Sequence, residues 1–297
     1  MNERDTVFNK RIGRSDIDSW IDIPECFSGQ QRATDREGLM NLLDISDDIM
    51  CYMTTLNQRP IGGTMLFRDR YRLGMGLIGV RMLKGHTDAL LPSTIKASLP
   101  FFRTASIRDV DAIVSDESNP RLPFPHDLYL SGALRQVLND IGFEQVQDVF
   151  SARFHDITVS DAPKPRMRRS ELTEEVREFV WKNVGETMID CSHTWLSLLR
   201  SSLNGCLCAI SPGEILAILA AEVYADGLVV SVMGYAQDSI DPSVLASAVA
   251  HEAAARGVRW VDIQLLGKSD DSIAKQLEYA LSAEAVVSRH SLMRRGV

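Results

Sequence analysis

Length, composition and charge narrow what this chain can be. Its 297 residues exceed the usual size of one domain, so two domains of about 150 residues each are favoured over a single core. An apolar fraction of 45% excludes a disordered chain, and a formal net charge of -8 argues against non-specific binding to nucleic acid or to an anionic membrane.

The start of the chain and its cysteines predict a compartment. Residues 1–9 carry charges and no apolar run, unlike a signal peptide, and the most apolar stretch, residues 215–223, is too short to cross a bilayer. Five cysteines without a C-x-x-C pair argue against a disulfide framework and against a structural zinc site. We therefore expect a cytoplasmic protein with no metal.

The first half of the chain predicts an antiparallel meander that leads into alternating helices and strands. Strands are expected over residues 49–56, 61–67, 71–80, 110–115 and 144–154. A helical region with prolines at 92 and 100 follows the third strand, and a helix over residues 128–141 ends at Gly142. Two prolines and four basic side chains in residues 161–169 then predict a linker, so the domains are expected to be 1–162 and 163–297.

The second half repeats this order. Strands are expected over residues 206–210, 215–224, 228–236, 260–265 and 286–293. Asp226-Gly227 favours a hairpin turn, since Asp and Gly tolerate the positive φ angles that such a turn needs. Asp241 and Gly257 are the expected first and last boundaries of one helix, and a second covers residues 271–282. Both halves therefore predict β-β-β-helix-β-helix-β.

Three short segments, together with this order of elements, carry a family resemblance. They are Ile61-Gly-Gly-Thr-Met-Leu-Phe67, Leu77-Ile-Gly-Val80 and Leu138-Asn-Asp-Ile-Gly-Phe143. The chain resembles the GNAT superfamily of acetyl-CoA-dependent N-acetyltransferases. The resemblance implies an α/β (α+β) fold of two tandem GNAT-like domains, each with a mixed, largely antiparallel sheet flanked by helices.

The resemblance also implies where a cofactor binds. In that superfamily, backbone amides of a glycine-containing loop at a helix N-terminus bind the pyrophosphate of acetyl-CoA, because aligned amides and the helix dipole favour an anion. The matching loop of the first half has one glycine and several basic groups. The predicted residues for acetyl-CoA or another acyl-CoA are Arg81, Lys84, Gly85, His86 and Thr87. An ordinary exposed basic loop is the alternative.

The matching loop of the second half is less suited to a phosphate. Asp238 and Asp241 would repel a pyrophosphate, and Pro242 lacks the amide that a phosphate would use. Tyr279 nevertheless matches the general-acid tyrosine of the superfamily, where the first half has Leu138. A tyrosine packed against the sheet is the alternative.

Glu222 is the candidate general base of the second half. It shares one face of its strand with Tyr224, so a cleft on that face would let Glu222 take a proton from an amine. An edge charge or an ion-pair partner is the alternative.

Two further patterns are weaker indications of a binding site. Gly74-x-Gly76-x-x-Gly79 matches the dinucleotide-binding fingerprint but falls inside a predicted hairpin strand, so a glycine-containing strand is favoured. A shifted acetyl-CoA loop over residues 71–76 stays open. Cys191 with His193 is too sparse for a metal site or a nucleophilic pair.

Two functions follow from the sequence. The first is a divergent acyl-CoA-dependent N-acyltransferase that acts on an amine, either a small molecule or a protein. The alternative is a catalytically inactive acetyltransferase-like fold that serves as a binding or assembly module. No membrane or nucleic-acid partner is expected, and self-association into a homo-oligomer stays open.

Overall fold

The computed structural model describes residues 6–24, 36–99, 106–116, 122, 128–159, 167–183, 185, 187–204, 206–210, 215–236, 240–267 and 272–296. The chain divides into two compact units. Unit 1 comprises Met1–Gln147, Cys191–His193 and Ser291–Val297, and unit 2 comprises Asp148–Asp190 and Thr194–His290. The expected boundary between residues 162 and 163 falls outside the described residues and stays a prediction.

Unit 1 is built on a mixed sheet. Its strands are β1 (Val7–Ile12), β2 (Ile49–Leu56), β3 (Arg59–Asp69), β4 (Gly74–Met82), β5 (Asp109–Ser115) and β6 (Leu130–Ser131). Its helices are α1 (Ile17–Ile21), α2 (Arg36–Ile45), α3 (Thr87–Ser98) and α4 (Arg135–Asp140). The strand order is β1-β2-β3-β4-β5, and the last residues of β13 (Ala285–Gly296) lie beside β5. The first four strands are antiparallel, whereas β4 and β5 are parallel.

Unit 2 repeats this arrangement. Its strands are β7 (Glu144–Phe154), which it includes from Asp148 on, β8 (Met167–Arg169), β9 (Cys206–Ile210), β10 (Ala217–Tyr224), β11 (Gly227–Tyr235) and β12 (Trp260–Leu266). Its helices are α5 (Glu174–Asn183), α6 (Ser192–Asn204), which it includes from Thr194 on, α7 (Pro242–Arg256) and α8 (Ser272–Leu281). The strand order is β7-β12-β11-β10-β9-β8, with the first residues of β13 beside β7. Here the parallel pair is β11 and β12.

The predicted order of elements is confirmed in both halves, and the fold is the expected mixed, largely antiparallel sheet with flanking helices. Helix α7 begins after its N-cap Asp241 and ends at Gly257, whose φ of 63° is left-handed. The helix predicted over residues 128–141 was wrong at its start, since Leu130 pairs with Val114 of β5 and only residues 135–140 are α-helical. A Cβ on Gly132 would collide with Asp116, so this approach to β5 needs a glycine.

Two other local predictions change. Part of the expected linker is a strand, because β8 pairs with β9. In the β10–β11 hairpin the positive φ falls on Ala225, at 51°, and Gly227 is instead required because a Cβ there would collide with the Trp260 ring. Residues 161–166, 211–214 and 237–239, which carried parts of the linker and loop predictions, lie outside the described residues.

The parallel strands of each unit separate part-way along their length. In unit 1, β4 and β5 pair only from Gly74 to Gly76, ending at Asp111, although β4 continues to Met82. We call the place where these strands part the unit 1 fork. In unit 2, β11 and β12 pair only as far as Val230 and Ile263. A bulge in the neighbouring antiparallel ladder lies beside each separation, between Met65 and Leu66 of β3 and between Ala220 and Ala221 of β10.

A continuous apolar core supports the unit 1 fork. Both faces of β4 are buried, and its apolar side chains pack with those of α3, β5 and α4. Fully buried members of this core include Leu66, Leu77, Leu91, Ile95, Val110 and Leu138. Among the described residues, no helix has both the length and the apolar composition needed to cross a membrane.

Candidate functional site

The turn between β4 and α3 presents an open backbone. Gly85 has a φ of 97°, a conformation that side chains disfavour, and a Cβ on it would meet no atom within 4 Å. Lys84 and Gly85 are exposed, and His86 and Thr87 are half-buried. The turn is fixed by the His86 amide, which donates to the Leu83 carbonyl at 3.1 Å. The structure therefore brings four of the five predicted cofactor residues together on one accessible turn.

The N-terminus of α3 follows this turn without a side-chain cap. His86 occupies the N-cap position and makes no capping hydrogen bond. The first amides of a helix have no intrahelical acceptor, so an uncapped end with a positive dipole is suited to an anion. Lys84 adds a positive charge beside it, while Asp88 in the first turn adds a negative one. These residues fit a pyrophosphate.

Arg81, the fifth predicted residue, is turned inward. It is 3% exposed, and its Nη1 donates to the backbone carbonyls of Ile21 and Ile23 at 2.7 and 2.6 Å. Its guanidinium also stacks over Trp20, 4.5 Å from the ring centroid. Arg81 therefore joins the end of β4 to the last residue of α1 and to the segment that follows it.

The corresponding helix of unit 2 already has a carboxylate at its N-terminus. Asp241 Oδ1 accepts a hydrogen bond from the Ser243 amide at 2.8 Å, and this bond lowers the pKa of the Asp241 carboxyl. Pro242 is the first residue of the helix. A bound anion would meet a carboxylate where α3 has no side-chain cap, so the described residues at this end of unit 2 do not fit a pyrophosphate.

Glu222 is held in a buried ion pair. Its Oε1 accepts from Arg200 Nε at 2.6 Å and from Ser201 Oγ at 3.1 Å, and Glu222 and Arg200 are 4% and 1% exposed. The ion-pair alternative is thus what the structure shows. The carboxylate is thus buried and bonded to a guanidinium and a hydroxyl, so the geometry favours a structural role over that of a base.

Tyr279 lies on the solvent side of α8. It is 80% exposed, so it is not the packed helix tyrosine of the alternative reading. Its predicted role as a general acid stays a prediction.

Five polar residues at the unit 1 fork were not predicted. The Asp111 carboxylate is fully buried and accepts from Arg294 Nε at 2.7 Å, from Arg72 Nη1 at 3.0 Å and from the Ser192 amide at 3.1 Å. Burial acts to raise the pKa of Asp111, but the bond from Arg294 and the charges of Arg294 and Arg72 outweigh it and lower the pKa. His193 completes the group. The Val-Asp repeated at 110–111 and 261–262 was the available signal.

The described residues contain no group of three His, Cys, Asp or Glu side chains that could hold a metal ion. Cys51 is buried, and burial raises the pKa of its thiol to about 12, so it is not a reactive nucleophile.

Solved structures share this architecture. A GCN5-related N-acetyltransferase from Sphaerobacter thermophilus aligns over 98% of this chain and 95% of its own, with a TM-score of 0.63 and 13% identity. A tandem GNAT protein from the clavulanic acid biosynthesis pathway aligns over 98% of both chains, with a TM-score of 0.62 and 8% identity. The chain has the tandem GNAT fold.

Other comparisons agree at the level of fold. A GCN5-related N-acetyltransferase from Anabaena variabilis aligns over 98% of this chain and 72% of its own, with a TM-score of 0.60 and 10% identity. No protein-family model matches the sequence, and no curated protein does so either. The GNAT fold is therefore established by structure, while the reaction must be argued from the residues.

Proposed function

We propose that this protein is an acyl-CoA-dependent N-acyltransferase in which unit 1 holds the cofactor. The observation that carries the proposal is the contrast between two equivalent helix ends. Helix α3 follows β4 with no side-chain cap and with Lys84 beside it, whereas α7 follows β11 with the Asp241 carboxylate bound to its own first turn. An anionic pyrophosphate is favoured at the first end and repelled at the second.

The chain's own residues have separate parts in this proposal. The amides of Gly85 and Thr87 bind phosphate oxygens, the His86 amide keeps the turn in place through its bond to Leu83, and Lys84 adds charge at the rim. Arg81 acts indirectly, since its bonds to residues 21 and 23 hold the end of β4 from which the turn starts. When bound, acetyl-CoA or another acyl-CoA supplies an activated acyl group, whose transfer to an amine frees a proton from nitrogen and returns one to sulfur.

The amine is a small molecule or a group on a protein, and its proton needs an acceptor. Tyr279 and Glu222 were predicted for proton transfer, and both lie in unit 2. Because the proposed cofactor residues lie in unit 1, these two roles rest on the family resemblance alone. A Tyr279→Phe variant that retains full acyl transfer would remove Tyr279 from the reaction.

A second function is favoured for unit 2 by its own contacts. The capped end of α7 and the buried Glu222–Arg200 pair fill the places where a GNAT-like unit would offer an anion site and a base. We propose that unit 2 is a catalytically inactive copy that serves as a binding or assembly module. The whole chain would be such a module if unit 1 binds no acyl-CoA.

The test is titration calorimetry of the full chain with acetyl-CoA, in the wild type and in variants of two lysines at opposite ends of α3. Lys84 lies before α3 and Lys96 in its last turn, and both are exposed. We expect wild type and Lys96→Glu to bind alike and Lys84→Glu to lose at least tenfold in affinity. Absence of binding to the wild type, or an equal loss in both variants, would overturn the proposal.

A further inference from the structure

Ser192 and His193 lie against β4 at the unit 1 fork. The Ser192 amide donates to Asp111, which forms the last paired position of β5 with Gly76 of β4. A Cβ added to Gly76 would lie 3.4 Å from Ser192 Cβ and 3.5 Å from His193 Cε1, and one added to Gly74 would lie 3.1 Å from Ser192 Oγ. The glycines of the G-x-G pattern thus make room for these two side chains at the point where the strands part.

Both side chains are buried without hydrogen-bond partners. Ser192 and His193 are 0% exposed. Among the described residues, Ser192 Oγ and both ring nitrogens of His193 have no hydrogen-bond partner, while the Leu77 backbone lies near enough to the ring to act to raise its pKa. Buried polar groups are nearly always satisfied, so two adjacent unpartnered side chains at the point where the strands part are available to a polar ligand atom.

The charges around the pair favour an oxygen with negative character. Burial lowers the pKa of His193 to about 4, against the opposing effect of Asp111, so the ring is neutral at pH 7 and carries one N–H. Ser192 adds an O–H. The negative charge of Asp111 is offset by Arg72 and Arg294. The fork therefore offers two donors in a water-poor setting, as a polarised carbonyl oxygen requires.

The position also fits the proposed cofactor. From Gly76 to Met82, β4 extends roughly 20 Å at about 3.3 Å per residue, and the α3 turn follows directly. This span is of the order of an extended pantetheine arm, so a cofactor whose pyrophosphate binds the turn and whose arm follows β4 would have its reactive end near the fork. We propose that Ser192 and His193 bind the carbonyl oxygen of the acyl thioester. This inference rests on the proposed function of unit 1.

The test compares acetyl-CoA with free CoA, which lacks the acyl carbonyl. For Ser192→Ala, we expect the affinity for acetyl-CoA to fall about fivefold, equivalent to one hydrogen bond of about 1 kcal/mol, with the affinity for CoA unchanged. His193→Leu should show the same selective loss, and His193→Gln, which keeps an N–H donor, should recover part of it. Calorimetry measures both ligands without an acceptor amine.

Ser197→Ala is the matched control. Ser197 belongs to the same helix, α6, and is also 0% exposed. Its Oγ likewise has no partner among the described residues, but the residue belongs to unit 2. We expect it to change neither affinity. Because both hydroxyls are unpartnered, neither substitution should lower the urea midpoint, so a loss of binding cannot be attributed to unfolding.

The outcomes are distinguishable. A wild-type chain that binds neither ligand overturns the proposed function, and the inference falls with it. A wild-type chain that binds both, with Ser192→Ala and His193→Leu weakening both ligands equally or neither, retains the proposed function and overturns the acyl-binding role. Only a loss selective for acetyl-CoA supports that role.

Discussion

Asp111 and Arg294, 183 residues apart in the sequence, form a charged hydrogen bond of 2.7 Å within unit 1. Asp262 and Arg153 form the equivalent bond of 2.9 Å within unit 2. Each aspartate lies on the second strand of the parallel pair, β5 in unit 1 and β12 in unit 2. Each arginine lies on the last strand of one half of the sequence, which is β13 for Arg294 and β7 for Arg153. The tandem repeat thus includes a specific ion pair as well as an order of elements.

The Asp111 pair predicts a large and local stability effect. Asp111→Asn leaves Arg72 and Arg294 without their buried counter-charge, which costs about 3–5 kcal/mol in comparable pairs. Asp116→Asn is the control on the same segment. Asp116 pairs with Arg135, but its side chain is 66% exposed, so this substitution should lower the free energy of unfolding by less than about 1 kcal/mol. Urea unfolding measures both, and equal losses would contradict the assigned role of Asp111.

The Glu222–Arg200 ion pair allows a test of whether Glu222 has a structural or a catalytic role. Glu222→Gln should destabilise the chain by about 3–5 kcal/mol, because the buried Arg200 guanidinium loses the carboxylate charge bonded to its Nε. The double variant Arg200→Met, Glu222→Leu should recover most of this loss, since no buried charge remains. A Glu222→Gln protein of normal stability that has lost acyl transfer would instead restore the prediction that Glu222 is a base.

His193 predicts a pH dependence of stability. An unfolded histidine ionises near pH 6.5, whereas burial lowers the pKa of His193 to about 4, with Asp111 opposing and Arg72 reinforcing the shift. Between these pH values the unfolded chain binds more protons, so stability falls as the pH decreases.

The free energy of unfolding should fall by about 2 kcal/mol from about pH 7.5 to pH 5. Urea unfolding at both pH values measures it, and His193→Leu should remove this part of the dependence. An unchanged dependence in the variant would show that His193 is not held neutral in the folded chain.

Gly227 and Gly234 test the packing of the β10–β11 hairpin. Both lie on β11, but a Cβ on Gly227 would collide with Trp260, whereas one on Gly234 would meet nothing within 4 Å. Gly227→Ala should cost about 1–3 kcal/mol, and Gly234→Ala should stay within about 0.5 kcal/mol of wild type. Similar thermal midpoints for the two variants would argue against the close approach of Trp260.

Local patterns predicted the elements, and their failures have physical causes. The N-cap at Asp241 and the helix end at Gly257 could be predicted because capping depends on neighbouring residues. The start of the helix near residue 130 was not, since it depends on pairing with β5, and the role of Gly227 depends on a tryptophan 33 positions away. Periodicity contains no information on such contacts.

Only some residues of the candidate site could be predicted from the sequence. The α3 turn follows from one glycine and the basic residues near it, so four of its residues could be named from the sequence. The inward turn of Arg81 depends on carbonyls 58 and 60 positions away, and the fork residues Ser192 and His193 come from a distant segment. Long-range placement of polar side chains was the part that no local pattern showed.

Hydrogen–deuterium exchange with and without acetyl-CoA tests the central claim most directly. If unit 1 binds the cofactor, amides in residues 83–90, around the open end of α3, will exchange more slowly in its presence, while residues 240–247 at the capped end of α7 will be unchanged. Protection of residues 240–247 instead, or of neither segment at saturating acetyl-CoA, would contradict the account.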